Sequence, residues 1–116
     1  VDAAMNDLPR PAMYQAFHTI VPLDEALHIK GKTDGLVCDV VGPVCESGDW
    51  IGRDRPLAVQ AGDRLAVLSA GAYCMSMSSN YNSRPKAAEI LVDGQNHHLI
   101  RVRDTMADQM RGEKLL

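Results

Sequence analysis

No apolar run in this chain is long enough to cross a bilayer. The longest, "LAVLSAGAY", is less than half of the roughly 20 residues a spanning helix needs. A basic excess is also missing: twelve Lys and Arg stand against fifteen Asp and Glu, a net charge of −3. That balance argues against a nucleic-acid or anionic-membrane partner. Cysteine is sparse and odd in number, three residues without framework spacing. On one extended segment Cys38 and Cys45 would stand about 23 Å apart at roughly 3.3 Å per residue, beyond disulfide reach. A reducing cytoplasm is the compartment to expect. Internal repeats, low-complexity tracts and a secretory leader pattern are lacking too. The chain opens on "VDAAMNDL" without methionine, which suggests a piece of something longer. What is present, 116 residues with 46% hydrophobic, suits one domain with a modest core.

Local patterns predict mainly β structure. Pro11 suits a first helical position, and Met13, Phe17 and Ile20 recur at helix spacing, so a short helix is expected over about 11–19. "DEALHIKG" reads as a strand or irregular edge. "GLVCDVVGPVCES" reads as a near-continuous apolar strand bent at Gly42-Pro43. "GDWIGRDRPL" reads as polar connection, "DRLAVLSAG" as a second apolar strand, and "SMSSNYNSRP" as loop. "KAAEILVDGQNHHLIRV" predicts a hairpin around Asp93-Gly94. Thr105 with Asp108 three residues on forms a weak capping box, and a helix over about 105–115 is expected. Strands at short spacing with turns between them predict a β-barrel or β-sandwich domain with short flanking helices.

Three groups could carry chemistry, and each has a plainer reading. In "GPVCESGDW" the thiol of Cys45 adjoins Glu46 at a strand end. A closed zinc set of clustered ligand pairs is missing, so no metal site is expected, and no partner histidine marks a cysteine nucleophile. The plainer reading of Cys45, as of Cys38, is a small buried strand residue. Arg10 near a helix start, with Tyr14 one turn on, would suit a carboxylate; the alternative is a solvated arginine against an aromatic ring. Tyr73 follows the small residues of "SAG", where a ligand could approach closely and take a phenol hydrogen bond. Equally, it could cap the core with its hydroxyl in water. The four histidines read as structural or surface residues.

Taken together, "DAAMNDLPRPAMY", "GPVCESGD", "SAGAYCMSMSSNYNSRPKAAEILVDG" and "LIRVRDT" resemble, in this order, the C-terminal region of bacterial diaminopimelate decarboxylases. These belong to the pyridoxal 5′-phosphate (PLP) decarboxylases of the alanine-racemase-like fold type. The resemblance covers nearly all of residues 1–116. It implies a C-terminal β-domain whose companion, a (β/α)8 barrel absent from this chain, holds PLP on a lysine. It also implies decarboxylation of meso-diaminopimelate to L-lysine and CO2. By the same resemblance Cys45 is the proton donor to the carbon left by CO2. Arg10 and Tyr14 receive the carboxylate of the non-reacting end, and Glu46 receives its ammonium. Tyr73 touches both cofactor and substrate. The family's sites lie at a two-fold interface, so a homodimer with a shared site is implied. Pro9 and Cys74 depart from the family pattern, which has an aliphatic residue and a glycine there. One rival is an ornithine or arginine decarboxylase of the same fold type. Eukaryotic ornithine decarboxylases have Asp after the matching cysteine, where this chain has Glu46. The other rival is a catalytically silent binding or oligomerisation module.

Overall fold

The computed structural model describes residues 1–116. Its elements run α1 (Pro9–Tyr14), β1 (Ile20–Pro22), α2 (Glu25–Asp34), β2 (Leu36–Val41), β3 (Trp50–Leu57) and β4 (Leu65–Val67). They continue with α3 (Cys74–Met77), a 3-10 turn (Tyr81–Ser83), β5 (Glu89–Asp93), β6 (Asn96–Arg101) and α4 (Met106–Gln109). The strands pair as three antiparallel ribbons, β1 with β4, β2 with β3, and β5 with β6. The expected mainly-β architecture with short helices at its edges is what forms. No helix is long and apolar enough to cross a membrane.

Leu8, Ile20, Val40, Ile51 and Leu57 make the buried core, with Cys38, Leu65, Val67, Ala70 and Cys74 packed around it. This small core joins the two central ribbons.

Several local expectations are corrected. The first helix starts at Pro9 and stops at Tyr14, because Gln15 turns left-handed (φ 55°) and its N–H returns to the Pro11 carbonyl at 2.8 Å. The periodicity of Met13, Phe17 and Ile20 therefore does not mark one helical face. Phe17 leaves the helix and carries the Arg55 guanidinium 3.8 Å from its ring centre. "DEALHIKG" is helical: Asp24 caps it by accepting the Ala26 N–H at 2.9 Å. Gly31 is buried within this helix and packs against the Pro56–Ala58 backbone.

The polar stretch "GDWIGRDRPL" supplies the longest strand, β3. Its disguise is a bulge: Asp54 adopts φ 54°, and its N–H donates to Asp39 Oδ1 at 3.0 Å. Conversely β2 ends at Val41, and Gly42–Asp49 forms a loop instead of a bent strand. β4 covers only three residues of its apolar run, and "CMSM", which overlaps the first two residues of the expected loop, turns into α3. The β5–β6 hairpin turns at Asp93-Gly94 as expected, with Gly94 at φ 58° and Asp93 opposite Asn96. At the C-terminus the Thr105–Asp108 capping box forms, and Asp108 is held below the usual carboxylate range by hydrogen bonds from Thr105 and Arg111. The helix it starts is a single turn, shorter than the expected 105–115.

Two polar networks fix the loops. Asp49 is 4% exposed, and its carboxylate accepts the Met5 N–H and the Val44 N–H, each at 2.6 Å. A Cβ on Gly42 would overlap that carboxylate, so only glycine leaves room for it. The second network centres on Arg84, which donates to Asn6 Oδ1 at 3.1 Å and to the Asp2 carbonyl at 2.6 Å. Asn6 in turn donates to the Ser79 carbonyl at 3.1 Å. "SSNYNSRP" is thereby tied to the N-terminal segment.

The chain exposes 8499 Å², whereas a compact monomer of 12.6 kDa exposes about 6,200 Å². Its radius of gyration of 16.1 Å likewise exceeds the ~13 Å of a compact domain of this length. Apolar side chains contribute to the excess: Ile90, Leu91, Val92, Leu99 and Ile100 of the β5–β6 ribbon, and Val102 just past it, are all more than half exposed. A face of that kind marks an interaction surface.

Replacing Asp49 by Asn should unfasten the Gly42–Asp49 loop. An amide has one acceptor oxygen, so one of the two backbone N–H groups would face an NH2 donor. We expect a loss on the order of 3 kcal/mol in the free energy of urea unfolding. An Asp49→Asn protein as stable as the parent would show that this carboxylate does not brace the loop.

Candidate functional site

The braced loop presents two side chains outwards. Asp49 and the turn hydrogen bonds Glu46 N–H to Val44 O (2.8 Å) and Asp49 N–H to Glu46 O (3.1 Å) define its backbone. Cys45, at its crest, is free and exposed. The plain reading of this thiol as a buried strand residue is overturned, since its position is neither in a strand nor covered. Cys38 does fit that reading: half-buried on β2, its thiol donates to the Arg55 carbonyl at 3.4 Å.

Glu46 beside it reaches the Tyr81 phenol, which donates to Oε2 at 2.5 Å. That bond, and the charge of Glu46, push the Tyr81 hydroxyl above its usual range, so the phenol remains protonated and a donor. Glu46 and Tyr81 line a cavity of about 490 Å³, whose far wall is Pro9, Ala12 and Met13 of α1. The candidate carboxylate thus shares a cavity with α1, although Arg10 and Tyr14 themselves do not line it.

On α1, Arg10 and Tyr14 lie one turn apart, with Tyr14 61% exposed. The helix begins at Pro9 and has proline again at Pro11, so two of its first three residues lack an N–H. The helix start therefore offers few free backbone donors, and its one charged group is the Arg10 guanidinium. Arg10 lies over the Tyr73 ring, 5.1 Å from its centre, in a cation–π contact. Arg10 and Tyr73, 63 positions apart in the chain, thus share one surface.

Tyr73 is more than half exposed and immediately precedes α3. A Cβ on Gly71 would meet nothing within 4 Å, so the approach to the Ala70-Gly71-Ala72 backbone is open. An exposed phenol beside open backbone fits a hydrogen bond to a phosphate oxygen, as a PLP contact requires; one phenol holds one corner of such a group, no more. Next in the chain, the half-buried Cys74 thiol is pushed up by burial, against the opposing pull of Arg10, with Asp7 adding to the rise. Nowhere do three His, Cys, Asp or Glu side chains converge as a metal would need. His18 is buried, with Nδ1 3.2 Å from the Leu68 carbonyl, which is a structural role.

The structure thus forms two pairs, Arg10 with Tyr73 and Glu46 with Tyr81, and leaves Cys45 and Tyr14 open to solvent. Tyr81 and Asp49 escape a reading of the sequence. Tyr81 lies in a polar stretch with turn chemistry throughout, and its partner is 35 residues away. Asp49 had a legible neighbour in Gly42, but their contact is a product of the folded loop.

Similarity to known proteins bears on this arrangement. The model of the family described as pyridoxal-dependent decarboxylase, C-terminal sheet domain, matches residues 1–71. The diaminopimelate decarboxylase of Neisseria meningitidis serogroup B is 53% identical over 113 residues, 97% of this chain and 26% of that protein. The crystal structure of AQ1208 from Aquifex aeolicus superposes with a TM-score of 0.83 at 48% identity, covering 95% of this chain and 26% of the other. That of diaminopimelate decarboxylase from M. jannaschii in complex with L-lysine gives 0.84 at 40% identity, covering 99% and 25%. The chain spans about a quarter of the length of the relatives it matches. Family match, sequence identity over almost the whole chain and shared fold agree: the chain belongs to the C-terminal sheet-domain family of the pyridoxal-dependent decarboxylases.

Proposed function

We propose that this chain serves as the substrate-reading and subunit-joining part of a PLP-dependent diaminopimelate decarboxylase, acting in the cytoplasm with a barrel domain that holds the cofactor. The observation that carries the reading is the placement of Glu46, next to the exposed thiol of Cys45, on a cavity that Pro9, Ala12 and Met13 of the Arg10-bearing helix also line. A substrate with a carboxylate and an ammonium at the end that does not react needs one cation and one anion on the protein. An ornithine decarboxylase would have no second carboxylate to give Arg10. Relatives more than half identical to the chain are named for this reaction.

PLP, when bound, supplies the electron sink that allows the substrate carboxylate to leave as CO2. This chain's residues do the rest of the recognition. Arg10, flattened against Tyr73, presents its guanidinium fork to the distal carboxylate, with the Tyr14 hydroxyl one turn away. Glu46 accepts the distal ammonium. Tyr73 would donate its phenol hydrogen to the phosphate group of the cofactor. The Cys45 thiol then delivers its proton to the carbon that CO2 has left, acting as a positioned general acid. The large exposed apolar area of β5 and β6 supports assembly with further protein, including a second copy.

Two measurements on the complete enzyme test this. In Arg10→Lys the fork and the flat stacking surface are both lost. The kcat/KM for diaminopimelate should fall about tenfold to a hundredfold, while PLP binding holds. An unchanged kcat/KM would remove Arg10 from the site.

The second concerns sharing between subunits. If Cys45 serves the site of its partner, each site takes Cys45 from one chain and the cofactor lysine from the other. Mixing a Cys45→Ala enzyme with one lacking the cofactor lysine, and allowing exchange, should return roughly a quarter of normal activity by random pairing. Verified exchange with no recovery would mean that Cys45 does not act across the dimer.

A further inference from the structure

The Glu46–Tyr81 hydrogen bond has a role open to it beyond stability. Glu46 is exposed on a loop, and a long acidic side chain in that setting samples many rotamers. Reading an ammonium through one carboxylate requires that carboxylate to be held in place beforehand. The Tyr81 phenol does this from a point 35 residues away in the chain, 2.5 Å from Oε2. The second oxygen, Oε1, lies near Gly48, which has no side chain to cover it, and the phenol engages Oε2 alone.

Tyr81 is itself pinned. Its N–H donates to Ser79 Oγ at 3.4 Å and its carbonyl accepts the Arg84 N–H at 3.3 Å. Arg84 is anchored in turn on Asn6 and the Asp2 carbonyl. The turn is also strained, with Asn82 and Ser83 both near φ 56°, a region that non-glycine residues seldom adopt. Strain and anchoring together set the phenol at the rim of the cavity that Glu46 lines.

We propose that Tyr81 is a positioning residue for Glu46: its phenol holds Oε2, and Oε1 is left free to receive the ammonium of the substrate's non-reacting end. The inference rests on the reading of Glu46 as the ammonium acceptor.

Equilibrium binding to the complete, cofactor-loaded enzyme separates the two claims. L-Lysine retains the non-reacting end whole, and 6-aminohexanoate lacks only its α-ammonium. Calorimetric titration with both ligands reads the ammonium contact as the ratio of their affinities. Tyr81→Phe should cut the preference for lysine about tenfold, the loss of one charge-assisted bond, and leave 6-aminohexanoate binding unchanged. In a Glu46→Gln background the same substitution should add nothing, because the carboxylate it positions is gone. Equal weakening of both ligands by Tyr81→Phe would show a merely structural role and overturn the proposal. So would an undiminished preference in Tyr81→Phe where Glu46→Gln abolishes it. If Glu46→Gln itself keeps the preference, the assignment of Glu46 falls, and the role of Tyr81 falls with it.

Discussion

The carboxylate of Asp49 is the point on which the candidate site depends. Buried beneath the Gly42–Asp49 loop, it gathers N–H groups from Met5 and Val44, one from the N-terminal segment and one from the loop itself. A buried anion without such partners would be costly, and with them it becomes a rigid hub. Its presence explains the glycine at Gly42, the sharp end of β2 at Val41, and the outward presentation of Cys45 and Glu46. Function-bearing side chains on an exposed loop are only as well placed as the buried group beneath them.

Around that hub the site is assembled by aromatic rings and arginines instead of by secondary structure. Tyr73 holds Arg10, Tyr81 holds Glu46, and Arg84 ties the turn of Tyr81 back to Asn6. Such contacts orient charged groups without burying them, which leaves the charges available to a ligand. The short ribbons serve as supports. The small core shared by two of them, and the exposed apolar surface of the third, suit a part whose stability is completed by neighbouring protein.

Some of this was legible in the residues. The β5–β6 hairpin follows from Asp93-Gly94 between β-rich runs, and the cap of α4 from Thr105 and Asp108, because both are governed by contacts within a few residues. The α2 helix carried its own signals, Asp24 as cap and Glu25 in the first turn, but Gly31 and the β-branched neighbours masked them. β3 was hidden because Gly52, Asp54 and Pro56 read as loop; only pairing with β2, and the bulge that accommodates Asp54, makes a strand of them. The apolar spacing beyond Tyr14 misled for a related reason, since Phe17 is spent on Arg55 and not on a helical face.

By itself the sequence determined the class of structure, the family resemblance and the set of chemically able side chains, Arg10, Tyr14, Cys45, Glu46 and Tyr73. Those are properties of residue type, local order and short-range hydrogen bonding. Only the tertiary structure decided that Cys45 is exposed, that Arg10 pairs with Tyr73, and that Tyr81 grips Glu46. These last contacts join positions 35 to 63 residues apart. No local preference specifies which residues meet over such distances; burial of the shared core and of Asp49 brings them together.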